Sequence, residues 1–228
     1  MALVPLESNP EVMTKFIHQL GVPEKFSLVD VYGLDPDLLA MVPRPVLALI
    51  LLYPDSEKAA AYTAELIAKI KEKGQEVSRN IFHMEQSVSN ACGTVALVHA
   101  IANNQDQIDL QDGILKTFLE KARDLSFSER GELLVNTASG IIDAHEQLAQ
   151  EGQTQAPQED APVYHHFVAY VEKDGSLYEL DGRKPFPINY GPTTKDQLLE
   201  TATKVCGEYM ARDPDDVRFT MIALVANE

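Results

Sequence analysis

The chain of 228 residues carries 35 acidic and 19 basic side chains, a formal net charge of −16, and is 45% hydrophobic, 24% charged and 7% aromatic. A chain of that length buries about 70% of its unfolded surface as one domain, so it needs no disulfide or metal staple. The acidity argues against nucleic-acid binding, which depends on Lys and Arg displacing counterions; it suits either solubility alone or a basic partner.

The N-terminus, Met1 to Glu11, lacks both a basic start and a signal-length apolar run, and the longest apolar stretch, Val46 to Tyr53, is too short to cross a membrane. A cytoplasmic protein without a membrane segment is expected. Asn9-Pro10 reads as a helix start, with Val12, Phe16, Ile17 and Leu20 on one stripe closed by Gly21. Val46 to Leu52 is an aliphatic run suited to a strand buried on both faces at the sheet's centre. Asp55 and Ser56 can cap a second helix through Tyr62, Leu66, Ile67 and Ile70, stopped by Gly74. A short strand is expected at Ile81 to Met84, then helices over Ala91 to Asn103, Ile114 to Ala122, Ser128 to Leu134 and Ser139 to Gln150.

From Glu151 to Pro162 Gln, Gly, Pro, Glu and Asp dominate, and Val163 is the first apolar side chain larger than alanine to follow. Such a loop spans roughly 40 Å if extended, and reads either as a lid over a cleft or as a surface linker. Tyr164 to Glu172 and Ser176 to Leu180 then form a hairpin, because Asp174-Gly175 is a type I′ turn signal. A helix from about Lys195 to Met210 and a strand from Val217 to Ala226 complete an α/β domain with one central sheet, an antiparallel hairpin, and helices on both sides.

Cys92, in Asn90-Ala91-Cys92-Gly93-Thr94, opens a helix. Unpaired backbone N–H groups and the helix dipole there stabilise a thiolate, as a nucleophile requires, and Gly93 lets a substrate backbone approach. Cys206 instead repeats with Leu199, Ala202 and Met210 on one helical face and reads as packing. Both thiols are expected to be free, and their spacing suits no zinc site.

A cysteine nucleophile needs a base, and six histidines are available: His18, His83, His99, His145, His165 and His166. His99 lies seven residues along the Cys92 helix, about 10 Å away and out of reach. His18 and His145 fall in amphipathic helices, where surface or interface positions are expected, and His83 stays open. A two-residue turn at Asp174-Gly175 places Val168 opposite Asp181, His166 opposite Arg183 and His165 opposite Lys184. Asp181 therefore shares a face with His166, one diagonal step away, while His165 points the other way. A carboxylate there fixes the imidazole tautomer and leaves the second nitrogen for the thiol. Gln86, six residues before Cys92, can offer an oxyanion donor beside the Cys92 backbone N–H.

Three stretches, Gln86 to Thr94 (QSVSNACGT), His166-Phe167-Val168-Ala169 and Leu177 to Pro187 (LYELDGRKPFP), resemble in order the nucleophile, histidine and aspartate motifs of the ubiquitin carboxyl-terminal hydrolase family, a branch of the papain-like cysteine peptidases. The resemblance runs the length of the chain, including Pro36 to Pro45 and Arg212 to Ala223, and is nearest to the short members acting on small adducts. It implies one catalytic domain over residues 1–228, a single-domain α/β/α sandwich with a mostly antiparallel sheet, a papain-like core and a knotted topology. It further implies Cys92 as nucleophile, His166 as general base and then acid, Asp181 as orienting residue and Gln86 as oxyanion donor, with no cofactor and no metal. The loop from Glu151 to Pro162 corresponds to the family's crossover loop.

By the same resemblance Glu7, Glu11 and Asp30 match ubiquitin-contacting positions, with Leu6 as an apolar neighbour, and acidic groups suit the two arginines of ubiquitin's tail. Glu7 and Glu11 also read simply as complements to the first helix's dipole. Ubiquitin is the expected partner of a monomer. A Nedd8-directed hydrolase, or a ubiquitin-sequestering protein with incidental turnover, are the alternatives. The ending at Glu228, without the extension of longer relatives, makes stable docking on a large assembly an unexpected property.

Overall fold

The computed structural model describes residues 2–137, 139–152 and 164–227. In chain order the elements are α1 (Pro10–Gln19), β1 (Phe26–Asp30), α2 (Pro36–Leu39), β2 (Val46–Pro54), α3 (Glu57–Lys73), α4 (Cys92–Ala102), α5 (Ile114–Ala122), α6 (Phe127–Thr137) and α7 (Ser139–Ala149). They continue with β3 (His165–Lys173), β4 (Ser176–Leu180), β5 (Ile188–Pro192), α8 (Leu198–Ala211) and β6 (Thr220–Ala226). The strands form one antiparallel sheet in the order β1-β6-β2-β3-β4-β5.

Period-two alternation sends successive side chains of each strand into different cores. Phe167, Ala169 and Val171 of β3 join the core formed with α1, α4, α5 and α7, whereas Val168 and Tyr170 join the one formed with α8. This is the expected α/β/α sandwich. The aliphatic run of β2 lies inside the sheet between β6 and β3, buried along nearly all its length.

Local chemistry accounts for the helix starts. Asn9 Oδ1 accepts from the N–H groups of Glu11 (3.0 Å) and Val12 (3.3 Å), with Pro10 at the first helical position. Ser56 Oγ accepts from Ala59 N–H at 3.2 Å to cap α3, which ends at Gly74 with φ 74°. The carboxylate of Asp55 does something else: it pairs with Arg183 at 2.7 Å. The stripe of α3 is only half-buried, so this helix lies at the periphery.

Three differences from the sequence reading stand out. No strand forms over residues 81–84. Instead Asn103 takes a strand's place: its Oδ1 accepts from Phe82 N–H (2.7 Å), its Nδ2 donates to Phe82 O (2.9 Å), and His99 Nε2 accepts from Met84 N–H (3.0 Å). The strands β1 and β5 and the short helix α2 carry too few residues for periodicity to reveal them, and β5 also contains Gly191 and Pro192. The last strand starts at Thr220 rather than Val217, because Asp216 accepts from Arg218 N–H and holds its guanidinium, curling the chain just before it. Of the loop expected from Glu151 to Pro162, residues 153–162 lie outside the described residues.

Candidate active site

The segment leading to Cys92 is fixed from the N-terminal side. Leu3 N–H donates to Ser89 O (3.0 Å) and Asn90 Nδ2 to Leu3 O (2.8 Å), while Asn90 adopts φ 64°, a left-handed conformation that Asn tolerates. The chain turns there so that Cys92 becomes the first residue of α4. The N-cap position, Ala91, has no side chain to accept from the first-turn N–H groups, which leaves their partial positive charge facing the thiol. Gly93 does not open a path for a substrate backbone: its missing Cβ would stand 3.3 Å from Leu6 and 3.4 Å from Phe167, so the space is already filled by packing.

The hairpin takes the register expected of a type I′ turn. Asp174 and Gly175 have φ 48° and 82°, and Ala169 pairs with Leu180. His166 and Asp181 accordingly meet, Nε2 to Oδ1 at 2.7 Å, both about 2% exposed. Asp181 Oδ1 also accepts from Arg183 N–H at 2.9 Å, and Asp181 O contacts His83 Nε2 at 2.8 Å. His166 Nδ1, the nitrogen left for the thiol, is buried without a hydrogen-bond partner among the described residues.

The electrostatics follow from these neighbours. Burial works against an imidazolium at His166, but the Asp181 charge and hydrogen bond, reinforced by Cys92, raise its pKa to about 9. Burial likewise opposes a thiolate at Cys92, yet His166, a backbone donor at Phe167 and the nearby Arg183 charge bring the thiol below its ordinary value. At Asp181 burial is outweighed by His166 and Lys184, so the carboxyl lies well below the usual carboxylate range. The arrangement favours a thiolate–imidazolium pair.

Gln86 is fixed to the aspartate loop, its N–H donating to Gly182 O at 2.9 Å. A Cβ on Gly182 would stand 2.8 Å from Gln86 N and 3.0 Å from Val95, so only glycine lets these segments touch. One side-chain N–H of Gln86 goes to Val88 O (3.1 Å), and its Oε1 is buried without a partner among the described residues.

The other candidates are structural. His83 stacks on Phe127 and is buried, with its pKa lowered to about 4 by desolvation, so it supports the Asp181 loop rather than serving as a base. His145 is fully buried, contrary to the surface or interface position expected for it. It bonds Thr94 Oγ1 and Val4 O, both at 2.7 Å, and pins the N-terminal segment to α4. His18 is half-buried against Phe26 O at 2.7 Å. Cys206 is fully buried with its thiol pushed up by desolvation, as its helical stripe suggests.

The remaining candidates are dispersed. Leu6 is buried (5% exposed) over Gly93, and Glu7 is half-buried, accepting from Asn9 Nδ2 at 3.3 Å. Glu11 is exposed and, with Glu151, brackets Lys15 at 3.5 and 3.3 Å. Asp30 lines a separate cleft of about 660 Å³ with Tyr32, Leu34 and Phe219. Sequence reasoning missed Tyr53, which pairs in register with His166 and meets its ring edge-on at 5.7 Å; only its place at the end of the aliphatic run hinted at it.

Comparison with known proteins places the chain. A family model described as ubiquitin carboxyl-terminal hydrolase, family 1, matches residues 3–211. A Drosophila melanogaster protein named ubiquitin carboxyl-terminal hydrolase is 53% identical over 222 residues, covering 97% of this chain and 96% of its own. Human ubiquitin carboxyl-terminal hydrolase isozyme L1 is 42% identical over 225 residues, 98% of each chain. Among solved structures, the Trichinella spiralis UCH37 catalytic domain bound to ubiquitin vinyl methyl ester has a TM-score of 0.78 at 24% identity, over 100% of this chain and 97% of that one; it speaks for the fold.

Proposed function

The chain belongs to the ubiquitin carboxyl-terminal hydrolase family, and from that premise we propose that it is a thiol hydrolase cleaving the amide or ester bond after ubiquitin's C-terminal glycine. The observation that carries the residue assignment is the buried imidazole of His166, held by Asp181 through Nε2 at 2.7 Å with Nδ1 left without a hydrogen-bond partner among the described residues.

The Cys92 thiolate attacks the glycine carbonyl carbon, and the oxyanion that forms accepts from the Cys92 backbone N–H and from the second side-chain N–H of Gln86. His166 gives its proton to the departing amine or alcohol, leaving a thioester on Cys92. It then takes a proton from water, whose oxygen attacks the thioester; ubiquitin's carboxylate leaves and the thiol is restored.

Glu7, Glu11 and Asp30 are separate points of contact for ubiquitin's surface, with Leu6 as an apolar neighbour. Glu11→Lys then raises KM for a ubiquitin substrate at low salt, and an unchanged KM would leave Glu11 as a dipole complement alone. A cytoplasmic location accords with two free thiols, and a monomer with self-repulsion at −16.

The test compares C-terminal amides of ubiquitin and of Nedd8 as substrates. Preferential turnover of ubiquitin amide supports the reading. Preferential turnover of the Nedd8 amide reassigns the substrate, and tight ubiquitin binding with negligible turnover makes the protein a sequestering one.

A further inference from the structure

Lysine is almost never fully buried unless paired. Lys184, three residues beyond Asp181, is 2% exposed, and Glu179, two residues before Asp181, is 0% exposed. Their side chains form an ion pair directly behind the aspartate. Glu179 also accepts from three phenols: Tyr170 of β3 (3.0 Å), Tyr190 of β5 (3.1 Å) and Tyr209 of α8 (3.0 Å). The three phenols converge on Oε2, and Oε1 faces the lysine.

The ammonium has a second neighbour. Lys184 Nζ lies 3.5 Å from Asp181 Oδ2, the oxygen that does not face His166, and 3.1 Å from Tyr209 OH. The Lys184 backbone N–H donates to Asp181 O at 3.0 Å, closing the turn. Asp181 is thus gripped on each side: Oδ1 by His166 and Arg183 N–H, Oδ2 by Lys184, and its carbonyl by His83 and the turn. Buried ion pairs seldom repay their desolvation in stability, and apolar replacements of similar volume are often tolerated. The lysine's geometry gives it a different task.

We propose that Lys184 is a positioning residue for the reaction that acts through Asp181: anchored on Glu179, its ammonium lies against Oδ2 of Asp181 and offsets part of that carboxylate's charge at the Cys92–His166 pair. The inference rests on the assignment of Cys92, His166 and Asp181 to catalysis. The groups facing the ammonium are Glu179, Asp181, Tyr53 and Tyr209, with Tyr170 and Tyr190 behind Glu179. Arg183 and His83 flank Asp181. Removing one cation from this set leaves more negative potential at the Cys92–His166 pair, so both of its ionisations move to higher pH. Removing the Glu179 charge moves them to lower pH.

The experiment uses the full chain as wild type, Lys184→Met and Glu179→Gln. The rate of Cys92 alkylation by iodoacetamide is followed against pH, with Cys92→Ala as the blank for Cys206; this readout needs no ubiquitin substrate. In parallel, kcat and KM are measured on ubiquitin C-terminal amide. Lys184→Met is expected to shift both alkylation limbs upward by about half to one pH unit and to lower kcat near neutrality by up to about tenfold, with KM unchanged. Glu179→Gln, which keeps the phenol donors satisfied, shifts the limbs downward. A merely structural lysine would move the urea midpoint and leave the limbs in place, and that result overturns the proposal. If Lys184→Met fails to fold, Glu179→Gln decides, and limbs that stay put or rise count against it. Absence of turnover in wild type would instead defeat the assignment of function, while the alkylation limbs still report on Lys184.

Discussion

Cys92 and His166 sit in a contest between burial, which disfavours both charges, and proximity, which favours them as a pair. Proximity wins because Asp181 is itself buried and cannot spread its charge into water. The sign of the pH dependence follows. His166 gains protons on folding, so its contribution to stability is complete below its ordinary 6.5 and is lost as pH rises through about 9. Turnover should therefore fall above about pH 9, when the proton destined for the leaving group is gone. Asp181→Asn removes the charge that holds that proton and should move the alkaline limb of kcat/KM downward by a unit or more. A limb that stays near 9 in Asp181→Asn would show that another group titrates there. His166 and Asp181 were legible because a type I′ turn fixes side-chain parity. Lys184 and Tyr53 were not: nothing in a run such as Asp181-Gly182-Arg183-Lys184 says which cation is buried.

The segment leading to Cys92 shows why periodicity fails locally. Residues 81–84 look like a strand in sequence because Ile81, Phe82 and Met84 are apolar, but among the described residues no strand pairs with them. Asn103, at the end of α4, supplies both a donor and an acceptor to Phe82, and also donates to His99 O at 2.8 Å. An amide side chain standing in for a strand partner leaves no signature in an apolar pattern. Asn103→Ala leaves the Phe82 N–H and C=O buried and unpaired, and should cost about 2–4 kcal/mol in urea unfolding. Asn103→Asp, which keeps the acceptor for Phe82 N–H, should lose less. Equal losses from the two variants would show that the acceptor contributes nothing. The strongly patterned elements, α1, β2, α3 and the hairpin, were readable because each carries its own cap, stripe or turn residues.

Two cores share one antiparallel sheet, and the candidate catalytic groups gather where its central strands end. Helix α4 brings Cys92, β3 brings His166, and the turn after β4 brings Asp181. The sandwich was legible in outline from alternating helices and strands, whereas the strand order depends on pairings distant in sequence. Motif resemblance, rather than composition, led from a generic thiol hydrolase to ubiquitin, and the acidity of the chain gained a partner only then. The most direct test of this account is a single turnover of ubiquitin C-terminal amide or ester, quenched in acid and read by mass spectrometry. Ubiquitin joined as a thioester to the peptide containing Cys92 is expected, with neither adduct nor free product in Cys92→Ala. Turnover that persists in Cys92→Ala, or an adduct on Cys206, would contradict it.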